Sequence, residues 1–249
     1  MKKICLILIV LFSLAQYQGW SQETGNTRIP VIGEKAPSFV ASTTNGTISF
    51  PADFGKSWKI LLSHPQDFTP VCSSELLELA YLQDDFRKMN VKVLVVSTDS
   101  LKTHYDWIKA MEQLSYKGRS PVKVNFPLAA DNKYQISKEY GMIHLGSKST
   151  KDVRACFIID PDNVVQVILY YPMNVGRNIN EIKRTVLALQ TTAAEKVYTP
   201  ANWQSGNDVM VSVPPVADYQ KNGELPAGYY KVAWFMLFKK PETASVMSR

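Results

Sequence analysis

Apolar and polar positions alternate in two different rhythms along this chain of 249 residues. Short runs rich in Val, Ile, Leu, Phe and Tyr, which favour β-strands, lie at 47–50, 59–63, 91–99, 126–131, 154–160 and 164–171. Longer segments with the apolar spacing of amphipathic helices lie at 70–89, 101–114, 133–140 and 178–196. Predicted strands and predicted helices therefore alternate along most of the chain.

This alternation predicts the fold class, because strands that alternate with helices form a layered domain around a largely parallel sheet. The run VKVLVVSTD, residues 91–99, begins with the continuous apolar pattern of a strand buried on both faces. Pro161, Asp162 and Asn163 separate the last two strand-like runs and predict a hairpin, so at least one pair of strands is antiparallel. The sequence thus predicts an α/β domain with a mixed sheet.

The segment 197–249 differs from the rest in composition, since it is rich in Pro, Gly, Trp and Tyr. Its strongest strand candidate is YYKVAWFMLF, residues 229–238. We therefore predict two domains, a main domain over 28–196 and a small β-rich domain over 197–249.

The amino terminus has the pattern of an export signal. Lys2 and Lys3 precede an apolar run over 4–15, which is shorter than the about 20 residues of a membrane-spanning helix. We expect residues 1–21 to be removed on export to the bacterial periplasm or the outside of the cell, with no membrane span in the mature chain. Cys5 would leave with the signal.

Charge and cysteine content argue against several classes of function. The formal charge is +6, and its lysines and arginines are dispersed, which does not favour a nucleic-acid partner. The mature chain keeps Cys72 and Cys156, too few for a disulfide framework. Neither belongs to a Cys-x-x-Cys pair and the three histidines are scattered along the chain, so no structural zinc site is indicated.

Cys72 lies where a thiol would be activated. The loop 64–69 connects a predicted strand to a predicted helix, with Thr69 as an N-cap residue and Pro70 at the first helical position. In the first turn, unpaired backbone N–H groups and the positive end of the helix dipole favour a thiolate. The alternative is an inert cysteine buried in the helix. The polar neighbours at 73–75 favour a reactive thiol.

The residues around Cys72 resemble those of the peroxiredoxin family. Its motif Pro-x-x-x-Thr-x-x-Cys is matched by Pro65, Thr69 and Cys72, and SHPQDFTPVCSSEL is similar to the one-cysteine, peroxiredoxin 6-type branch. RACFIID, with Arg154, and YYPMNVGRN, with Arg177, resemble two further family segments, and the tail TPANWQSGNDVMV resembles the branch's carboxyl-terminal domain. The resemblance implies a thioredoxin-like mixed sheet flanked by helices, with a small β-rich C-terminal domain.

The resemblance also implies a role for each matched residue. Cys72 would attack a peroxide as a sulfur anion, and Thr69 would hydrogen-bond the bound peroxide. The alternative is that Thr69 is only a helix cap, and both roles can hold. Arg154 would hold the thiolate and the substrate oxygens with a charge that does not titrate, although it could instead be a surface residue at a strand end. The residues expected to shield or orient these groups are Pro65, His64, Glu75 and Arg177. We expect no metal, haem or flavin cofactor.

Attack on a peroxide leaves a sulfenic acid on Cys72, which a thiol must reduce. Two-cysteine relatives use a resolving thiol near the carboxyl end, but no cysteine follows Cys156. Cys156 is two residues from Arg154 on one predicted strand, so both should face the same side of the sheet. A cysteine held in a central strand rarely attains disulfide geometry. We therefore expect Cys156 to be buried and an external thiol reductant to act, and a bridge between Cys72 and Cys156 is the alternative.

The predicted function is a thiol-dependent peroxidase that reduces hydrogen peroxide and small organic hydroperoxides. One alternative is a thiol-disulfide oxidoreductase on the same core, which would need a second neighbouring cysteine. Another is a redox sensor or chaperone-like oligomer that is oxidised without turnover. The resemblance further implies at least a homodimer, in which the tail could cover the partner's site.

Overall fold

A computed structural model describes residues 29–144, 146, 149–212 and 225–241. The strands of the main sheet are β1 Phe39–Thr43, β2 Gly46–Phe50, β3 Trp58–Ser63, β4 Val91–Ser97, β5 Leu128–Ala130, β6 Arg154–Ile159 and β7 Val165–Tyr171. The α-helices between and after them are α1 Pro70–Lys88, α2 Leu101–Met111, α3 Gln135–Glu139 and α4 Ile179–Glu195. The predicted alternation of strands and helices is confirmed.

The sheet is mixed, as predicted, with the strand order β2-β1-β5-β4-β3-β6-β7. β4 pairs in parallel with β3 and β5, whereas β6 runs antiparallel to both β3 and β7. Leu62 of β3 lies opposite Cys156 of β6. Because β6 runs against β3, its first residue lies beside the loop that follows β3.

Both faces of the central strands are buried, which explains their continuous apolar runs. On one face, α1, α2 and α4 pack against side chains that include Ile60, Leu62 and Cys156. On the other face, α3 and the β1–β2 hairpin cover side chains that include Leu61 and Ala155. The alternation of the two sets along β3 and β6 follows the period of two expected for strands.

Residues with N-cap propensity begin the helices near the predicted places. The Ser100 hydroxyl accepts the Thr103 N–H at 3.2 Å and caps α2, as predicted. Pro70 is the first residue of α1, where its fixed φ suits the helix. The helix α3 begins at Gln135 rather than at 133, because Tyr134 before it has a left-handed backbone with φ of 59°.

The strand β1 was not predicted. It pairs with β2 through a tight turn at Thr44 and Asn45, and Gly46 after the turn has φ of 97°, which a glycine adopts at no steric cost. The sequence FVAST of β1 mixes small and polar residues, so its apolar content alone is too low to indicate a strand.

The C-terminal region contains a small antiparallel sheet in the order β8-β10-β9, with β8 at Val209–Val211, β9 at Tyr229–Ala233 and β10 at Met236–Lys239. The prediction of one strand over 229–238 was wrong, because Trp234 and Phe235 form a turn between two strands. No glycine or proline marks this turn in the sequence. Trp203 and Val209 pack with Ala188 of α4, so the region is attached to the main domain.

Within the described ranges, no helix is long and apolar enough to cross a membrane. The predicted export signal over 1–21 lies outside the described residues. The boundary between 28–196 and 197–249 stays a prediction.

Candidate active site

The thiol of Cys72 lies in the first turn of α1, where the sequence predicted it, as the third residue after Thr69. Cys72 is 1% exposed and is not part of a disulfide. Arg154 Nη1 donates a hydrogen bond to the sulfur at 3.2 Å. The buried guanidinium thus places a fixed positive charge beside the sulfur, at the end of α1 where the helix dipole is also positive.

Arg154, the first residue of β6, is 2% exposed, and its guanidinium is fixed on three sides. Its Nε and Nη2 donate to the Met173 carbonyl at 2.9 and 2.5 Å. Its Nη1 donates to Glu75 Oε2 at 3.0 Å as well as to Cys72. The alternative of a surface arginine at a strand end is therefore wrong, because the charge is buried and directed at the sulfur.

Glu75, one turn along α1 from Cys72, joins two arginines. Its oxygens accept from Arg177 N, Nε and Nη2 at 2.7, 2.9 and 2.7 Å, in addition to the bond from Arg154. Burial would raise the pKa of Glu75, but the charge and hydrogen bonds of Arg177, and then the charge of Arg154, outweigh it and hold this pKa below its usual range. The structure thus brings Glu75 and Arg177 to the site as an ionised pair.

The loop 64–69 places two more predicted residues beside the start of α1. Thr69 occupies the N-cap position but makes no side-chain capping bond, and its hydroxyl donates instead to the Gln66 carbonyl at 2.9 Å. The interpretation of Thr69 as only a helix cap is therefore wrong for its side chain. Pro65 is buried. Phe68 is 56% exposed and has φ of 54°, a left-handed conformation that is unfavourable for a large side chain.

Two histidines, His64 and His104, contact the carboxylate of Asp67 in this loop. His64 Nε2 lies 2.8 Å from Asp67 Oδ1, and His104 Nδ1 lies 2.7 Å from Asp67 Oδ2, and all three residues are buried. Burial would raise the pKa of Asp67, but the hydrogen bonds of His104 and His64 outweigh it and lower this pKa. Burial lowers the pKa of His64, so that its neutral ring donates from Nε2. Two of the three histidines that are scattered in the sequence are therefore close in space, because α2 brings His104 to the loop.

The same loop is held from the end of β4. The Asp67 N–H donates to Asp99 Oδ2 at 2.7 Å, and Lys151 Nζ donates to Asp99 Oδ1 at 3.1 Å. His64, Asp67 and Asp99 each place one potential metal-ligand atom within 4.8 Å of the others. The hydrogen bonds among these groups explain their arrangement without an ion.

Cys156 faces the same side of the sheet as Arg154 and belongs to the same core cluster as Cys72, which confirms the predicted orientation. It is fully buried, as expected. Burial raises the pKa of its thiol to about 12, so the sulfur is protonated near neutral pH and is a poor nucleophile.

Sequence patterns did not single out Asp67, Asp99 or His104 as parts of the site. Asp67 follows His64 by three positions in one loop, a spacing that could have indicated their pairing. His104 is 37 positions from Asp67, and Asp99 is 32 positions from it. Only the packing of α2 and β4 around the loop brings these residues together.

A cysteine held by a buried arginine at the start of a helix, on a mixed α/β sheet, defines a thiol-dependent redox enzyme with a thioredoxin-like fold. Residues 32–168 match the AhpC/TSA family, and residues 188–224 match the C-terminal domain of 1-Cys peroxiredoxin. The chain belongs to the peroxiredoxin family and is a thiol-dependent peroxidase with a peroxidatic cysteine.

Relatives from distant organisms support this assignment. A peroxiredoxin of Methanosarcina mazei is 46% identical over 215 residues, which cover 85% of this chain and 98% of the relative. A 1-Cys peroxiredoxin of Dictyostelium discoideum is 38% identical over 205 residues, which cover 82% of this chain and 83% of the relative.

Two solved structures share the fold. A yeast mitochondrial 1-Cys peroxiredoxin has a TM-score of 0.74 at 35% identity and covers 85% of this chain and 100% of its own. A cysteine-to-serine mutant of peroxiredoxin 6 from Arenicola marina has a TM-score of 0.75 at 32% identity and covers 86% of this chain and 99% of its own. The predicted thioredoxin-like fold and the resemblance to the one-cysteine branch are confirmed.

Proposed function

We propose that Cys72 is the peroxidatic residue and that its substrates are hydrogen peroxide and small organic hydroperoxides. The observation that carries this proposal is the 3.2 Å hydrogen bond from Arg154 to the Cys72 sulfur at the start of α1. It supplies a positive charge to the sulfur anion without a metal or an organic cofactor.

In the first half-reaction, the Cys72 thiolate attacks one peroxide oxygen. A sulfur–oxygen bond forms as the oxygen–oxygen bond breaks, and the electron pair of the broken bond leaves on the second oxygen, which takes up a proton to become water or an alcohol. Sulfur is oxidised to the sulfenic acid and the peroxide is reduced. Negative charge moves from sulfur to the leaving oxygen, so a fixed guanidinium beside both atoms stabilises the transition state.

The neighbouring residues position this reaction. Thr69 carries a hydroxyl oxygen that can accept the peroxide O–H, because a hydroxyl that donates one hydrogen bond keeps acceptor capacity. Glu75 accepts from the same Nη1 of Arg154 that donates to the sulfur, and Arg177 holds Glu75 in place. We assign to Pro65, which is buried in the same loop, the shielding of the thiol from water that the family resemblance implies.

In the second half-reaction, an external thiol completes the cycle. One thiol condenses with the sulfenic acid to a mixed disulfide and releases water, and a second thiol then displaces the Cys72 thiolate. The burial and protonation of Cys156 support an external reductant rather than an internal one. The yeast relative is described as resolving its thiol through glutathione and thioredoxin systems, which are candidate reductant classes here.

The test compares Cys72→Ser with the matched variant Cys156→Ser. We expect peroxide turnover with a small dithiol to disappear in Cys72→Ser and to persist in Cys156→Ser. Mass spectrometry after one equivalent of peroxide should find one added oxygen on Cys72. Turnover that survives in Cys72→Ser, or a rapid bridge between the two cysteines, would contradict the proposal.

We also propose that residues 1–21 direct export and are then removed. The basic residues and the apolar run at the amino terminus support this proposal. Fractionation of cells that express the full chain, followed by intact mass measurement, should find a shortened chain outside the cytoplasm. A full-length chain retained in the cytoplasm would contradict it.

Finally, we propose that the enzyme is at least a homodimer. Val232, Trp234 and Phe235 of the β9–β10 hairpin are 66, 75 and 58% exposed, which is unusual for a cluster of large apolar residues. Sedimentation should give at least twice the mass of one chain, and Trp234→Ser should weaken the association. A monomer at micromolar concentration would contradict the proposal.

A further inference from the structure

The hydrogen bonds of Asp67 in the active-site loop identify a residue that influences the reaction without contacting the Cys72 sulfur. We infer that His104, on α2, is a positioning residue for the peroxidase reaction: through the Asp67 carboxylate it holds the loop 64–69 in the conformation that presents Thr69 to a bound peroxide. This inference rests on the proposed role of Thr69.

The loop 64–69 belongs to neither β3 nor α1, and Asp67 anchors its middle. The Asp67 N–H donates to Asp99 Oδ2 at 2.7 Å. The two carboxylate oxygens of Asp67 lie 2.8 Å from His64 Nε2 and 2.7 Å from His104 Nδ1. These partners come from the loop itself, from the end of β4 and from α2, so the loop is tied to two separate elements of the main domain.

The His104 ring is well placed to act as the fixed end of this connection. It is fully buried, and its Nε2 lies 3.3 Å from the Ala129 carbonyl of β5 while its Nδ1 contacts Asp67. The helix that carries it begins at a side-chain cap, Ser100. A ring held between β5 and α2 cannot follow Asp67 if the loop moves, and therefore restrains it.

The backbone next to Asp67 shows why a restraint is needed. Phe68 has φ of 54°, in the left-handed region that a large side chain rarely adopts. Its side chain is 56% exposed, so packing contributes little to holding this conformation. The backbone conformation of Phe68 is therefore fixed by its neighbours in the chain, the hydrogen-bonded Asp67 before it and the start of α1 after it. Release of Asp67 would allow Phe68 to relax and would move the adjacent hydroxyl of Thr69.

The restraint is separate from the contact between the guanidinium and the sulfur. The charged or titratable groups that face Asp67 or its partners are His64, His104, Asp99, Lys151 and Arg177. Arg154 is held by different partners, the Met173 carbonyl and Glu75, and has no hydrogen bond to the loop 64–69 among the described residues. A change at His104 should therefore alter the handling of peroxide and leave the contact between Arg154 and the Cys72 sulfur in place.

The test compares His104→Asn with His104→Gln in the full protein. An asparagine amide nitrogen can occupy the place of Nδ1 and still donate to Asp67. A glutamine amide nitrogen reaches the place of Nε2 and can donate only to the Ala129 carbonyl. Two rates are measured with Cys72 reduced: its oxidation by hydrogen peroxide, followed by stopped-flow fluorescence, and its alkylation by iodoacetamide across a range of pH.

We expect the peroxide rate constant to fall by about tenfold or more in His104→Gln and by no more than about threefold in His104→Asn. Alkylation does not use Thr69, and its rate should stay within about threefold of wild type in both variants at every pH. A parallel fall in both rates would indicate a general loss of structure and would overturn the inference. Equal peroxide rates in the two variants would overturn it as well.

Thr69→Val separates this inference from the proposed function. The inference requires that His104→Gln cause little further loss of peroxide rate once the Thr69 hydroxyl is absent, because both changes then act on the same interaction. If Thr69→Val slows the reaction and His104→Gln adds its full loss to it, the proposed role of Thr69 stands and the inference is wrong. If Thr69→Val has no effect, the proposed role of Thr69 itself fails.

Asp99→Asn tests the same loop without a change in the buried ring, in case the His104 variants do not fold. Asp99 is only partly buried, and an amide oxygen in its place would accept the Asp67 N–H more weakly than a carboxylate. We expect a loss of peroxide rate of about threefold or more with unchanged alkylation. Unchanged peroxide rates in Asp99→Asn would overturn the inference.

Discussion

Replacement of Glu75 by glutamine should destabilise the folded protein by about 3–5 kcal/mol, because it leaves two buried guanidinium groups without their counter-charge. If the amide oxygen takes the place of Oε1, it still accepts from Arg177 N and Nε. The amide NH2 then faces Arg154 Nη1 and Arg177 Nη2 in place of Oε2. Two hydrogen bonds from charged donors are lost, at about 1.5–3 kcal/mol each, which is consistent with that range.

Urea unfolding near neutral pH measures this loss, provided that the m-values of the variant and the wild type agree. Glu78→Gln is the matched control, since Glu78 lies on the next turn of α1 and pairs with Lys117 and Arg119 at the surface. The control should lose no more than about 1 kcal/mol. A loss below about 1 kcal/mol in Glu75→Gln, or equal losses in both variants, would refute the reasoning.

The difference between the wild type and Glu75→Gln should also depend on pH. Because the pKa of Glu75 is lower in the folded state than in the unfolded state, folding favours the ionised carboxylate. This stabilisation is complete above the unfolded pKa of about 4.3 and is lost as the pH falls through the folded pKa. The two stability curves should therefore approach each other in acid, and a constant difference would show that the charge of Glu75 is unimportant.

Arg154→Lys should slow the oxidation of Cys72 by peroxide about 100-fold, because an ammonium group cannot be held by the Met173 carbonyl through two nitrogens while a third donates to the sulfur. A stopped-flow rate within about threefold of wild type would contradict this. Asp152 is buried, and this burial outweighs a weaker interaction with the Ser137 hydroxyl and raises the pKa of its carboxyl to about 8. The folded state therefore keeps a proton on Asp152 that the unfolded chain loses, so the stability of the wild type should fall as the pH rises from about 4 to about 8. Asp152→Asn should remove this fall. Thermal unfolding temperatures of the wild type and the variant that change in parallel with pH would contradict the prediction. Trp203→Ala should lower the free energy of unfolding by about 3–5 kcal/mol and make the C-terminal sheet more sensitive to limited proteolysis, because Trp203 is buried against Ala188. An unchanged cleavage pattern would argue against this attachment of the sheet to the main domain.

The strands of the central sheet and the nucleophile could be predicted because both depend on local patterns. The run KILLS has no polar alternation and became β3, which is buried on both faces. Cys72 could be predicted as the reactive cysteine because Thr69 and Pro70 mark the start of a helix within three positions of it. Arg154 and Arg177 came from the resemblance to a family, since neither residue is distinctive in its local pattern.

The residues that support the active-site loop could not be predicted in this way. The contact of His104 with Asp67 depends on how α2 packs against β5, which no short spacing encodes. The turn at Trp234 and Phe235 was missed for a related reason, because apolar residues without glycine or proline formed a tight turn. In each case the tertiary environment outweighed the local preference.

The order of residues along the chain has a consequence for protein synthesis. Arg154 lies 82 positions after Cys72, and Arg177 lies 102 positions after Glu75. A ribosome therefore releases the complete loop motif long before it has made either guanidinium. A nascent or truncated chain that stops short of β6 contains every residue of the motif but neither guanidinium, so the fixed positive charge beside the sulfur is supplied only when the last strands join the sheet.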